Sequence, residues 1–234
     1  MQPKPRVRSL LICRNALGAL VALGAMALGV SAAHAGTFLG VASDRDGLAL
    51  VNVVMSLKPI GRAAPATPVQ EIVVSQENAT FKPYISVIRV GSSVVFANRD
   101  NMEHHIKSFS SSKPFEIAVH KPGDTPAPIR FEKEGAVVAY CILHDWMRAY
   151  IYVADTPWFS ITGEPSGIAK IENVPAGDYE AIAWHPDLGQ YKPPLVQKVT
   201  ITATGSVEST FKFDFKARPV RQAPKNFGSG ARTK

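Results

Sequence analysis

Ala139-Tyr140-Cys141-Ile142-Leu143-His144-Asp145-Trp146-Met147 is the stretch on which the fold and chemistry of this chain turn. It joins two apolar runs, Ala136 to Cys141 and Ala149 to Ala154, that both read as strands, so Cys-x-x-His-x-x-Met falls in one short loop. A strand end and a tight loop can aim a thiol, an imidazole and a thioether at one point. Those are soft-to-borderline donors that favour copper, and one more imidazole completes a His₂Cys plane with a weak axial Met. Upstream, Asn98-Arg99-Asp100-Asn101-Met102-Glu103-His104-His105-Ile106 ends the predicted strand Ser93 to Asn98 and places His104 37 residues before Cys141.

Cysteine usage sharpens this. The chain has two cysteines, and Cys13 lies in a segment that reads as an export signal. Lys4, Arg6, Arg8 and Arg14 form its basic start, Ala16 to Val30 its apolar run, and Ala33-His34-Ala35 a small-residue cleavage site. The alternative, a membrane anchor, needs about 20 apolar residues, more than this run supplies. Residues 1–35 are therefore expected to be a cleaved signal peptide, and the mature protein to be periplasmic. Cys141 is then the one remaining thiol: a buried bystander, a link to another chain, a nucleophile or a metal ligand.

Cleavage removes four of the 26 basic residues and none of the 19 acidic ones. Six of the rest (Lys216, Arg218, Arg221, Lys225, Arg232, Lys234) lie in a Pro- and Gly-punctuated tail, 216–234, which reads as a basic disordered segment. No nucleic-acid partner is expected, and no membrane insertion after signal cleavage.

Between these ends the chain reads as all-β. Predicted strands include Phe38 to Ala42, Leu48 to Leu57, Glu71 to Ser75, Ser86 to Val90, Phe115 to Val119, Ile129 to Glu132, Tyr179 to Trp184 and Val196 to Ala203. In Val207 to Phe215, Phe211, Phe213 and Phe215 share one face against Lys212 and Asp214. Short strands punctuated by Gly, Pro and Asp argue for sandwiches or barrels.

The Cys141–Met147 loop, with the Asn-Arg-acid-x-Met-x-His pattern at Asn98 to His104, resembles the cupredoxin family of small blue copper proteins, most of all its amicyanin- and plastocyanin-like members. The whole mature chain also resembles proteins described as methylamine-utilisation proteins. The resemblance implies a Greek-key β-sandwich holding one type 1 copper ion. His104 and His144 would supply nitrogen, Cys141 the thiolate and Met147 the axial sulfur. It also implies one-electron transfer rather than enzyme activity, with a redox partner protein, a cytochrome or dehydrogenase, docking near His144.

Val41 to Leu57 and Ser160 to Trp184, the latter with Asn173-Val174-Pro175-Ala176-Gly177-Asp178-Tyr179, resemble parts of a second, carboxypeptidase-regulatory or transthyretin-like β-sandwich. The implied organisation is a split sandwich, 36–58 and 156–215, around a copper domain, 68–155, with Pro59 to Pro68 as a linker; a single larger sandwich is the alternative. Departures from the family include His105 after the first ligand, and Leu143 and Asp145 around the second. Asp145 could act on the metal by charge or bond a ligand. Adjacent strand residues face opposite sides, so His105 should point away, though it stays an alternative ligand. His120 and His185 read as structural. A copper sensor or carrier, a non-redox binding module, and zinc in place of copper are the competing readings; structural zinc sites use Cys and His without Met.

Overall fold

A computed structural model of the chain describes residues 35–225. The segment expected to be an export signal, apart from Ala35, and residues 226–234 of the tail lie outside the described residues. Among the described residues there are sixteen strands and one 3-10 turn, Pro186–Leu188, and no helix long and apolar enough to cross a membrane. The chain is all-β, as its alternating apolar runs predict.

Two strands come first, β1 (Ala35–Ser43) and β2 (Val54–Pro59). A central group follows: β3 (Glu71–Glu77), β4 (Thr80–Lys82), β5 (Ile85–Arg89), β6 (Ser93–Asn98), β7 (His104–Ser108), β8 (Phe115–His120), β9 (Ile129–Arg130), β10 (Gly135–Cys141) and β11 (Arg148–Ala154). The last group is β12 (Phe159–Ile161), β13 (Ile168–Pro175), β14 (Gly177–Trp184), β15 (Leu195–Ile201) and β16 (Ser206–Lys212).

The first and last groups pair with each other. One sheet has the order β13-β1-β16 and the other β12-β2-β14-β15. Their inward side chains, among them Phe38, Met55, Leu57, Ile171, Tyr179, Phe211 and Phe213, form one core. Burying each such side chain contributes roughly 1.5–3 kcal/mol. Tyr179 also closes the turn before it: its hydroxyl donates to the Pro175 carbonyl at 2.8 Å. Gly177 in that turn has φ +140°, and a Cβ there would meet the Arg62 guanidinium at 3.1 Å, so glycine is required. Arg62 itself donates to the Tyr179 hydroxyl and lies 5.1 Å over its ring, which pins the Pro-rich linker to this sandwich.

The central group builds a second pair of sheets, β5-β11-β10-β7-β8 and β4-β3-β6-β9, over a core that includes Val74, Phe96, Ile106, Phe131, Ile151, Cys141 and Met147. Between the two pairs lies a third cluster: Val54 and Trp184 from one side, Ile85, Val138, Tyr150 and Tyr152 from the other. Strand β11 explains why its sequence is apolar throughout. Ala149, Ile151 and Val153 face the second core while Tyr150, Tyr152 and Ala154 face the seam, so both faces are covered.

Two expectations about the strands need correction. Leu48 to Leu57 is not one strand: β2 begins at Val54, and Asn52 takes φ 64°. The Asp44 carboxylate accepts from the Asp46 and Leu48 N–H groups, so this stretch is a turn whose Leu50 and Val53 are buried without a ladder. Strands β4, β7, β12 and β13 escaped prediction: β4 and β12 have three residues each, and β7 carries His104 and Ser108 at inward positions. Of the tail, residues 216–225 are described: Lys216 pairs with Asp46, Arg218 with Asp187 and Arg221 with Asp145, and Ala223 packs on the second core. Its carboxylate partners are far away in sequence, so composition alone read it as solvated.

His185 caps the 3-10 turn, its Nδ1 accepting from the Asp187 N–H at 3.0 Å, and contacts the Val51 backbone. Burial, opposed by Asp187, pushes its pKa down to about 4. The unfolded chain then takes up this proton first, so the stability is present above about pH 6.5 and is lost as pH falls through about 4, by on the order of 3 kcal/mol. Denaturant midpoints between pH 7 and pH 4 should fall less steeply for His185→Asn, which can still cap Asp187. Superimposable profiles would remove His185 from the acid response.

Candidate metal centre

Three buried side chains meet where β7 begins and β10 ends. His104 opens β7, Cys141 closes β10, and their strands pair with Cys141 opposite Ile106. The loop from Cys141 to Met147 folds back on itself: the Cys141 N–H donates to the Met147 carbonyl at 3.2 Å, and the Met147 N–H to the His144 carbonyl at 2.9 Å. Ile142 N–H donates to His105 O at 2.7 Å, tying the loop to β7.

These constraints bring the Cys141 Sγ to 3.5 Å from His104 Nδ1 and 3.4 Å from His144 Nδ1. All three donor atoms lie within 4.8 Å of one another, and each residue is buried. Donors held about 2.0–2.3 Å from one first-row ion, at trigonal to tetrahedral angles, stand roughly 3.4–3.8 Å apart. The spacing and the donor set therefore fit a small transition-metal ion. Met147, 2% exposed, is buried in the same core as Cys141, at the other end of the loop.

Burial, as the larger cause, holds the pKa of both His104 and His144 below the usual imidazole range; the Asp100 carboxylate partly opposes this. Both rings are thus neutral near pH 7 and keep a lone pair for a metal.

Asp100 is the functional residue the sequence reading quoted without giving it a role. Its Oδ2 lies 2.9 Å from His104 Nε2, its side chain is 5% exposed, and the Ala79 N–H donates to it. A carboxylate accepts only, so Nε2 carries the proton and Nδ1 is left facing the thiol. An acid four residues before the histidine was the available signal. Asp100→Asn should weaken metal binding about 10–100-fold, read by competition titration with a chelator. Unchanged affinity would mean that packing alone orients His104.

The remaining predicted residues are placed as follows. Asp145 turns away from the centre to the surface, its side chain paired with Arg221 at 2.9 Å, so the role considered for it beside the metal is withdrawn. His105 points to the opposite face from His104, its Nε2 2.7 Å from Glu116. His120 uses both ring nitrogens, on Gln76 and on the Ala118 carbonyl. Trp146 packs under the loop, its indole N–H donating to the Ala79 carbonyl. Ile142 and Leu143 are each 48% exposed beside His144.

No protein-family model matches the chain, and no curated protein does. Solved structures do. A purple cupredoxin from Nitrosopumilus maritimus is 26% identical over 35% of this chain and 98% of its own, with a TM-score of 0.32. An oxidised amicyanin variant is 21% identical over 36% of this chain and 81% of its own, at TM-score 0.33. A copper-containing nitrite reductase from Thermus scotoductus is 25% identical over 42% of this chain and 25% of its own, at 0.35. At one end of the central pair of sheets, His104, Cys141 and His144 form a cluster that could hold a metal ion.

Proposed function

We propose that this chain is a periplasmic type 1 copper protein that passes single electrons, with His104, Cys141, His144 and Met147 as the ligands of one copper ion. The observation that carries the reading is the buried triangle of one thiol sulfur and two imidazole nitrogens, closed by a loop that ends on a buried methionine. Copper bound there supplies a one-electron couple held in a geometry that changes little with oxidation state.

The chain's own residues do the rest. His104 and Cys141 sit at strand ends, Asp100 fixes the His104 ring, and burial keeps bulk water from the donor atoms. Four protein donors leave no position for a substrate, which argues against enzyme activity. Burial of the donors also argues against ready release, as a copper carrier would need. We further propose that the central segment is a domain inserted into a transthyretin-like sandwich. The flanking strands pair only with one another in the ladder, as β1 does with β13 and β16.

Ile142 and Leu143 beside His144 suit the small, quickly released contact of a redox encounter with a cytochrome or dehydrogenase. Voltammetry of the copper-loaded protein tests the function: a reversible one-electron couple is expected, and its absence would favour a carrier. Leu143→Lys should slow electron exchange with added cytochrome c several-fold while the absorption spectrum is unchanged. An unchanged rate would move the docking surface elsewhere.

A further inference from the structure

We propose that the cleft between the Met147 edge of the centre and the C-terminal segment is a binding site for a small planar aromatic molecule carrying one negative charge. The cleft encloses about 320 Å³, within the range of small-molecule sites. Tyr84, Trp146 and Tyr150 line it, Met147 and Arg148 lie beside them, and Arg218 to Gln222 border it from the tail. Aromatic walls favour a flat ring, which can stack or meet them edge-on.

The charge follows from the pairing of the cations around it. Lys82 is held by Glu77, Arg218 by Asp187 and Arg221 by Asp145. Arg148 is different: among the described residues no carboxylate pairs with it, its guanidinium lies 5.6 Å over the Tyr140 ring, and its Nε is buried with no hydrogen-bond partner. One positive charge is left over in an aromatic cleft, and a carboxylate is the complement an arginine binds best. Arg148 also borders the adjoining pocket, so it stands where the two spaces meet.

The site stands independently of the copper reading, although Met147 belongs to both. The test is a titration of the full chain, carrying ¹³C-methyl methionine, with benzoate, first without metal and again after loading with Cu(I). The Met147 methyl signal should shift saturably with benzoate, and far less with benzyl alcohol, which has the ring without the charge. Arg148→Gln should weaken benzoate binding about tenfold or more. The Met55 methyl, buried in the other sandwich, should stay fixed and reports that the variant is folded. A Met147 signal that does not move in either form overturns the proposal. Equal shifts with benzyl alcohol, or binding untouched by Arg148→Gln in a folded variant, overturn the assigned charge. Loss of the copper reading would leave the metal-free titration intact.

Discussion

Cys141→Ser is expected to abolish the intense visible absorption of the copper-loaded protein and to lower copper affinity by more than the roughly 10–100-fold that losing an outer partner costs. A serine hydroxyl stays protonated where a thiol gives a soft thiolate, so the donor that dominates the site disappears while the volume is nearly kept. Cys141 is 3% exposed in the central core, and the small change in size should leave the fold intact by circular dichroism. His104→Ala and His144→Ala should weaken binding as well. Colour that survives Cys141→Ser would place the metal elsewhere.

The second large effect is on stability. Trp184, 2% exposed, fills the seam between the two pairs of sheets, with its ring centroid 5.8 Å from Tyr150 and 5.5 Å from Tyr152. Its indole N–H donates to the Gly189 carbonyl at 2.9 Å. Trp184→Ala should cost about 3–5 kcal/mol, a large share of the roughly 5–15 kcal/mol that keeps a domain folded. The loss should be uneven, because the two inner cores are untouched. Calorimetry is expected to show the flanking sandwich melting before the central one in the variant. A single transition at the parent temperature would mean that the seam contributes little.

The parts of the fold that the sequence made legible are those where alternation has one polar and one apolar face, as where Phe211 and Phe213 are buried and Lys212 between them is exposed. The loop residues proposed as ligands were legible because Cys141, His144 and Met147 fall within seven residues. Strand β7 was not, since the site itself occupies it: His104 and Ser108 stand at inward positions where a strand usually shows apolar residues. Asp100 was hidden for a related reason. A buried acid looks like any turn acid until the imidazole it holds is seen beside it. The tail makes ion pairs such as Arg218 with Asp187 and Arg221 with Asp145, whose partners lie 31 and 76 residues away. No local pattern encodes such pairing, and exposed pairs of this kind contribute only about 0–1 kcal/mol each.

The most direct measurement is a copper titration of the protein followed by visible absorption and electron paramagnetic resonance together. The account predicts one equivalent of Cu(II) per chain, an intense thiolate-to-copper band that rises to that equivalence point, and the narrow hyperfine splitting of a type 1 site. Binding without the band, or a spectrum of ordinary nitrogen and oxygen ligation, would contradict it.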